Sequence, residues 1–175
     1  PGHREAGEHL PGPGQGVPGL FAERQDKVAS IVTLTEIVRH PKLFIDFDRL
    51  REKGSLTPEE MKLVTAMAAV MLLHSSAQRP SAIMNCTLGE YEARRLDGDV
   101  TVITVYNHKT SAGGPARLTL GRKQALLVES YAEDLRPLIG QGKTLLLLPS
   151  STGGAKPVEQ MAPLLALLER TYGVR

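Results

Sequence analysis

Residues 72–110 read LLHSSAQRPSAIMNCTLGEYEARRLDGDVTVITVYNHKT, and this stretch decides the fold. Its left end continues an apolar helix into a small polar segment that carries one arginine, Arg79. Pro80 follows and biases Arg79 away from helical conformation, to a bend. A helix or turn is expected over 81–87. Thr87-Leu88-Gly89-Glu90 has the pattern of a helix cap, opening a short piece to Arg95. Asp97-Gly98-Asp99 makes a turn, and Val100 to Tyr106 alternates β-favouring residues. That strand runs into His108-Lys109-Thr110. Two cations thus come from different elements. Arginine at a helix end grips a phosphate through paired donors, and lysine at a strand tip reaches the same group as a point charge.

Upstream, Thr57-Pro58-Glu59-Glu60 is a helix start, with Thr57 as N-cap, Pro58 at the first position and Glu60 closing a capping box. The helix, to about His74, carries Met61, Val64, Met67, Ala68, Val70 and Met71. It is apolar nearly all round in its C-terminal half, so it is expected at the centre, with the methionines as core filler. Before it, Val28, Ile31, Val32, Ile37 and Val38 follow helical spacing over 24–38. His40-Pro41 ends that helix, and Pro41 opens another, Lys42 to Lys53, with Leu43, Phe44, Phe47 and Leu50 on one face. His40 reads as a helix-end residue. Residues 1–19 hold six glycines and four prolines and read as an arm or linker.

Downstream, Ser111 to Gly114 is a connector and 116–120 is a second strand, giving a hairpin with His108 and Lys109 near its tip. Arg122 to Leu138 is a helix with Ala125, Val128, Tyr131 and Leu135 on one stripe. Thr144 to Leu148 is a short strand or an extended segment, Ser150 to Pro157 a loop. Val158 to Tyr172 is a helix with Met161, Leu164, Leu165 and Leu168 inward, ended by Gly173. The expected fold class is mainly α with a small antiparallel β-hairpin or sheet.

Composition is that of an ordinary globular chain: 41% hydrophobic, 23% charged, formal charge +2 over 175 residues. The pI near 8.9 permits an anionic partner without demanding one. The single cysteine, Cys86, excludes an internal disulfide and a cysteine-based zinc site, and a reducing compartment fits. Trp is absent and aromatics are 4%, which argues against base stacking. No apolar run reaches membrane-spanning length. No phosphate loop, dinucleotide fingerprint or H-E-x-x-H occurs, so no cofactor and no metal are expected. Ser75 and Ser76 beside His74 do not make a nucleophile–base pair by adjacency. Arg94-Arg95 and Arg122-Lys123 read either as trackers of a DNA backbone or as solvated helix faces. Likewise Arg79 and Lys109 read as phosphate contacts, or else Arg79 caps a helix C-terminus or pairs with Glu90 and Lys109 is an exposed hairpin lysine.

The order of these elements resembles part of the catalytic domain of tyrosine recombinases, the phage-integrase class, and especially the Crypton-type transposons and genes derived from them. The resemblance covers about 56–175. LTPEEMKLVTAMAAVMLLHSSAQRPSAI is similar to the helix leading to the family's first active-site arginine, here Arg79. TLGEYEARRLDGDVTVITVYNHKTSAGGPARLTL is similar to the hairpin with the active-site lysine, here Lys109. TLLLLPSSTGGAKPVEQMAPLLALLERTYGVR resembles the segment before the family's second box.

The resemblance implies a partial tyrosine-recombinase fold over 55–175, a preceding helical pair over 23–54 and an arm over 1–22. In the family, arginines stabilise charge on a DNA phosphate, the lysine protonates the leaving oxygen and a tyrosine attacks. No histidine here has arginine three positions later, the usual acidic residue is replaced by Ala82, and Tyr172 falls too early to be the nucleophile. Tyr91, Tyr106 and Tyr131 read as core or edge residues. Implied, then, is a nuclear, DNA-associated domain, catalytically incomplete, with Arg79, His108, Lys109, Arg94, Arg95, Arg122 and Lys123 toward DNA. The alternatives are a protein-interaction scaffold that keeps only the fold, or a fragment of an active recombinase. A protein partner or self-association is expected through the face that the family's C-terminal part covers.

Overall fold

Thr57 and Glu60 open the longest helix, α2 (Pro58–Ser76), by the expected reciprocal cap. Thr57 N–H donates to Glu60 Oε1 at 2.9 Å, and Glu60 N–H donates to Thr57 Oγ1 at 3.2 Å. The structure is a computed structural model and describes residues 31–76, 80–106 and 114–174. The elements below belong to one unit that begins at Leu34.

From Val64 to Leu73 every residue of α2 is buried. A helix apolar on all sides must be wrapped on all sides. The chain does this with α1 (Pro41–Arg51), α3 (Pro80–Asn85), the strand β3 (Ala116–Leu120), α5 (Arg122–Ser130), β4 (Leu147–Pro149) and α7 (Ala162–Tyr172). Residues 31–38 are helical, and Leu34, Ile37 and Val38 join Leu43, Phe47 and Leu50 of α1 in the same core. Met67 and Met71 are fully buried there, as core filler.

α4 (Leu88–Glu92) carries a second capping box, Thr87 with Glu90. It ends earlier than the sequence suggests. Arg95 is not helical but begins β1 (Arg95–Asp97), because pairing with β2 (Val100–Val105) overrides local preference. Gly98, at φ 65°, supplies the left-handed turn between them. β3 completes an antiparallel sheet of order β1-β2-β3, with Thr101 opposite Leu120 and Val105 opposite Ala116. Thr101, Ile103 and Val105 face the core, as do Ala116, Leu118 and Leu120.

The helix expected over 122–138 is present, with an interruption. α5 runs into a π turn, Tyr131–Leu135, and then into the short α6 (Arg136–Ile139). Arg136 N–H reaches back five residues to the carbonyl of Tyr131. Pro137 has no N–H and would crowd the carbonyl four residues before it, so widening the helix here sacrifices little.

Two further corrections concern the C-terminal third. The expected loop 150–157 contains β5 (Ala155–Pro157), antiparallel to β4. The last helix, α7, starts at Ala162 rather than Val158. Pro163 lacks an N–H and fits only a first helical turn. Gly173, at φ 64°, ends it as expected.

A closed triad of hydrogen bonds ties these parts together inside the core. Thr65 Oγ1 donates to the Leu147 carbonyl at 2.7 Å. Its one proton being used, Thr65 accepts from the Tyr131 hydroxyl at 3.0 Å. Tyr131 Oη in turn accepts from Leu147 N–H at 3.0 Å. Tyr131→Phe leaves that buried N–H without a partner. We expect a loss of about 2 kcal/mol in unfolding free energy by denaturant titration; a loss under ~0.5 kcal/mol would show that the triad contributes little.

Candidate functional site

The C-terminal end of α2 is fastened to the sheet. Ser76 Oγ donates to the Thr119 carbonyl at 3.2 Å and accepts from Thr119 N–H at 3.1 Å. Ser76 therefore serves the backbone of β3 and makes no pair with His74. Arg79 follows shortly after this anchor and lies outside the described residues. Just past the end of β2, Tyr106 N–H donates to Glu90 Oε2 at 2.9 Å, while Glu90 Oε1 accepts from Thr87 N–H at 2.9 Å. One carboxylate thus caps α4 and holds the chain as it leaves β2. His108 and Lys109, which the sequence puts near a hairpin tip, also lie outside the described residues.

The four other cations expected to face DNA do not act alike. Arg94 lies over the Tyr91 ring, 4.2 Å from its centroid, and pairs with Glu129 at 3.3 Å. It is half-buried and already engaged. Arg95 is exposed on β1, opposite Val102. Arg122 is exposed at the first position of α5 and, with Arg94, lines a cavity of about 400 Å³. Lys123 sits 4.4 Å above the Phe44 ring.

Nucleophiles are poorly placed among the described residues. Cys86 is buried, and burial, with Glu90 nearby, pushes its thiol up to about 12. We expect it to resist a thiol reagent at pH 8 in the native chain and to react fully on unfolding; rapid native labelling would contradict the burial. Tyr91 is pushed up to about 12, chiefly by burial. Burial raises Tyr131 as well. It also raises Tyr172, whose hydroxyl donates to Asp46 Oδ2 at 3.0 Å. None of these three phenols is a ready nucleophile; Tyr91 and Tyr131 are core, one of the two readings open to them, and Tyr172 is buried as well. Tyr106 is exposed. No group of three or more His, Cys, Asp or Glu side chains suited to a metal occurs among the described residues.

Two features escaped sequence reasoning. Arg136 is buried and donates to three carbonyls. Nε reaches Leu145 at 2.9 Å and Thr144 at 3.2 Å, and Nη2 reaches Gly142 and Thr144 at 2.6 Å each. Nothing in the sequence separates this arginine from the exposed ones. The second feature is a cleft of about 420 Å³ that gathers Arg39, His40, His74 and Lys123. His74 borders the cleft, and its Nδ1 is closed off from solvent without a hydrogen-bond partner, at a cost of about 1–3 kcal/mol. Only the position of Lys123 at a helix start hinted at this second grouping.

No family model, no curated protein and no solved structure matches the chain.

Proposed function

We propose that this chain is a recombinase-like, DNA-associated domain in which Arg79 and Lys109 flank one phosphate of the DNA backbone. The observation behind the reading is the Ser76–Thr119 pair, which holds the end of α2 against β3. Arg79 is three positions beyond Ser76, and Lys109 is four positions beyond Val105. Extended chain covers at most about 3.5 Å per residue, so each is within roughly 10–14 Å of its anchor. The anchors themselves, Thr119 and the Val105–Ala116 pair, are about 10 Å apart along the ribbon. Both side chains have the reach to meet on one anion.

Two cations bind a phosphate and neutralise its charge, but strand cleavage by this route needs a tyrosine nucleophile and further activating groups. The reading is therefore phosphate binding in the nucleus, without cleavage by these residues. Arg79→Ala and Lys109→Ala are each expected to weaken duplex DNA binding about tenfold. Each should also reduce the slope of log affinity against log salt by about 0.9. Affinity indifferent to ionic strength would remove the proposal.

One observation favours a second reading, a protein-interaction scaffold. Leu96 and Leu126 are 77% and 57% exposed, and both line the cavity beside Arg122. A protein partner retained by Arg79→Ala and lost by Leu126→Ser would favour the scaffold. A chain that stays monomeric and captures nothing would exclude it.

A further inference from the structure

We propose that the cleft bounded by Arg39, His40, His74 and Lys123 is a seat for a phosphate group. Three separate parts of the chain build it. Arg39 and His40 come from the corner before α1, His74 from the end of α2, and Lys123 with Gln124 from the first turn of α5. Among the described residues no carboxylate lines the cleft. Arg39 and Lys123 bring two fixed cations to one cleft, and an oxyanion between them would offset both charges.

The volume of about 420 Å³ is far beyond the roughly 30 Å³ of one water. The donors are of the right kind. Arg39 brings a guanidinium fork and Lys123 a point charge. His40 Nδ1 accepts from Lys42 N–H at 3.2 Å, and its ring lies 4.8 Å from the Tyr172 ring. That bond places the proton of the neutral imidazole on Nε2 and leaves an N–H to donate. The start of α5 adds to the field. Gly121 gives it no side-chain cap, and its first turn has no acidic residue.

The ligand chemistry is a tetrahedral phosphate, either free or in the backbone of a nucleic acid. This seat shares Lys123 with the cations expected toward DNA but uses neither Arg79 nor Lys109, and it stands whether or not that pair binds DNA. The test is a nitrogen-15 NMR titration of the full chain with inorganic phosphate, run beside a duplex-DNA binding isotherm. Phosphate should shift the amides of Arg39, His40, His74, Lys123 and Gln124. The double variant Arg39→Gln with Lys123→Gln should weaken phosphate binding about tenfold, whereas Lys62→Gln, on the exposed side of α2, should not. Arg79→Ala should leave the phosphate shifts in place. If the double variant also loses duplex affinity, the seat takes a nucleic-acid phosphate; if duplex affinity is unchanged, it takes free phosphate. Shifts that scatter elsewhere, or that persist undiminished in a double variant with unaltered thermal unfolding, overturn the proposal.

Discussion

Replacing Arg136 with methionine is expected to lower the unfolding free energy by about 3 kcal/mol, the largest loss from any single charged side chain described. The stem of methionine fills similar space, so the effect isolates the guanidinium. Its donors satisfy the carbonyls of Gly142, Thr144 and Leu145. A hydrogen bond to a charged donor is worth about 1.5–3 kcal/mol net, and carbonyls left inside without donors add a desolvation penalty. The consequence is not confined to the loop. Leu145 N–H donates to the Cys86 carbonyl and Leu88 N–H to that of Lys143, both at 2.9 Å. The arginine thereby holds the segment that clasps the junction of α3 and α4. Thermal unfolding should fall by roughly 6–12 °C for a domain of this size. Arg136→Lys should recover only part of the loss, because an ammonium cannot reproduce the planar fork. A change under ~1 kcal/mol in the methionine variant would show that the carbonyls find other donors.

Gly140→Ala should cost a similar amount, about 3 kcal/mol, by a different mechanism. Gly140 closes α6 at φ 151° and ψ −156°, a conformation almost restricted to glycine. Strain of this kind costs about 1–3 kcal/mol in a residue with a Cβ. The added atom would also stand 2.8 Å from Ala155 Cβ and 3.2 Å from Ala155 N. Backbone cannot swing aside as a flexible side chain does, so β5 must shift away. Gly54→Ala is the control for strain without a clash: its φ is 80°, with nothing within 4 Å of the added atom. The two variants should differ by about 1–2 kcal/mol in denaturant unfolding. Equal losses would mean that the contact with β5 yields without cost.

Both residues sit at one corner, and neither position is singled out by local pattern. What was legible were features whose physics lies within a few residues. Thr57 with Glu60, and Thr87 with Glu90, form the caps their spacing announces. The alternation from Val100 to Val105 became a strand, and Gly173 stopped the last helix. Where sequence reasoning failed, a remote partner had the deciding energy. Ala155-Lys156-Pro157 has little strand character of its own and becomes β5 by pairing with β4. Arg95 leaves its helix for β2.

The candidate sites divide in the same way. Arg79, His108 and Lys109 could be named from their neighbours, though all three lie outside the described residues. Arg94 looked like a free cation until Tyr91 and Glu129 were seen beside it. The cleft of Arg39, His40, His74 and Lys123 joins residues up to 84 positions apart, counted from 39 to 123.

By itself the sequence determined where the helices lie though not all of their ends, the capping boxes of α2 and α4, the β2–β3 ribbon and a central apolar α2, because each follows from periodicity or from hydrogen bonds closed within one turn. Only the tertiary structure decided which charges are spent and which remain available. A charge is neutralised, buried or left facing a cavity by groups that chain folding brings near it, and their distance along the sequence carries no trace of that encounter.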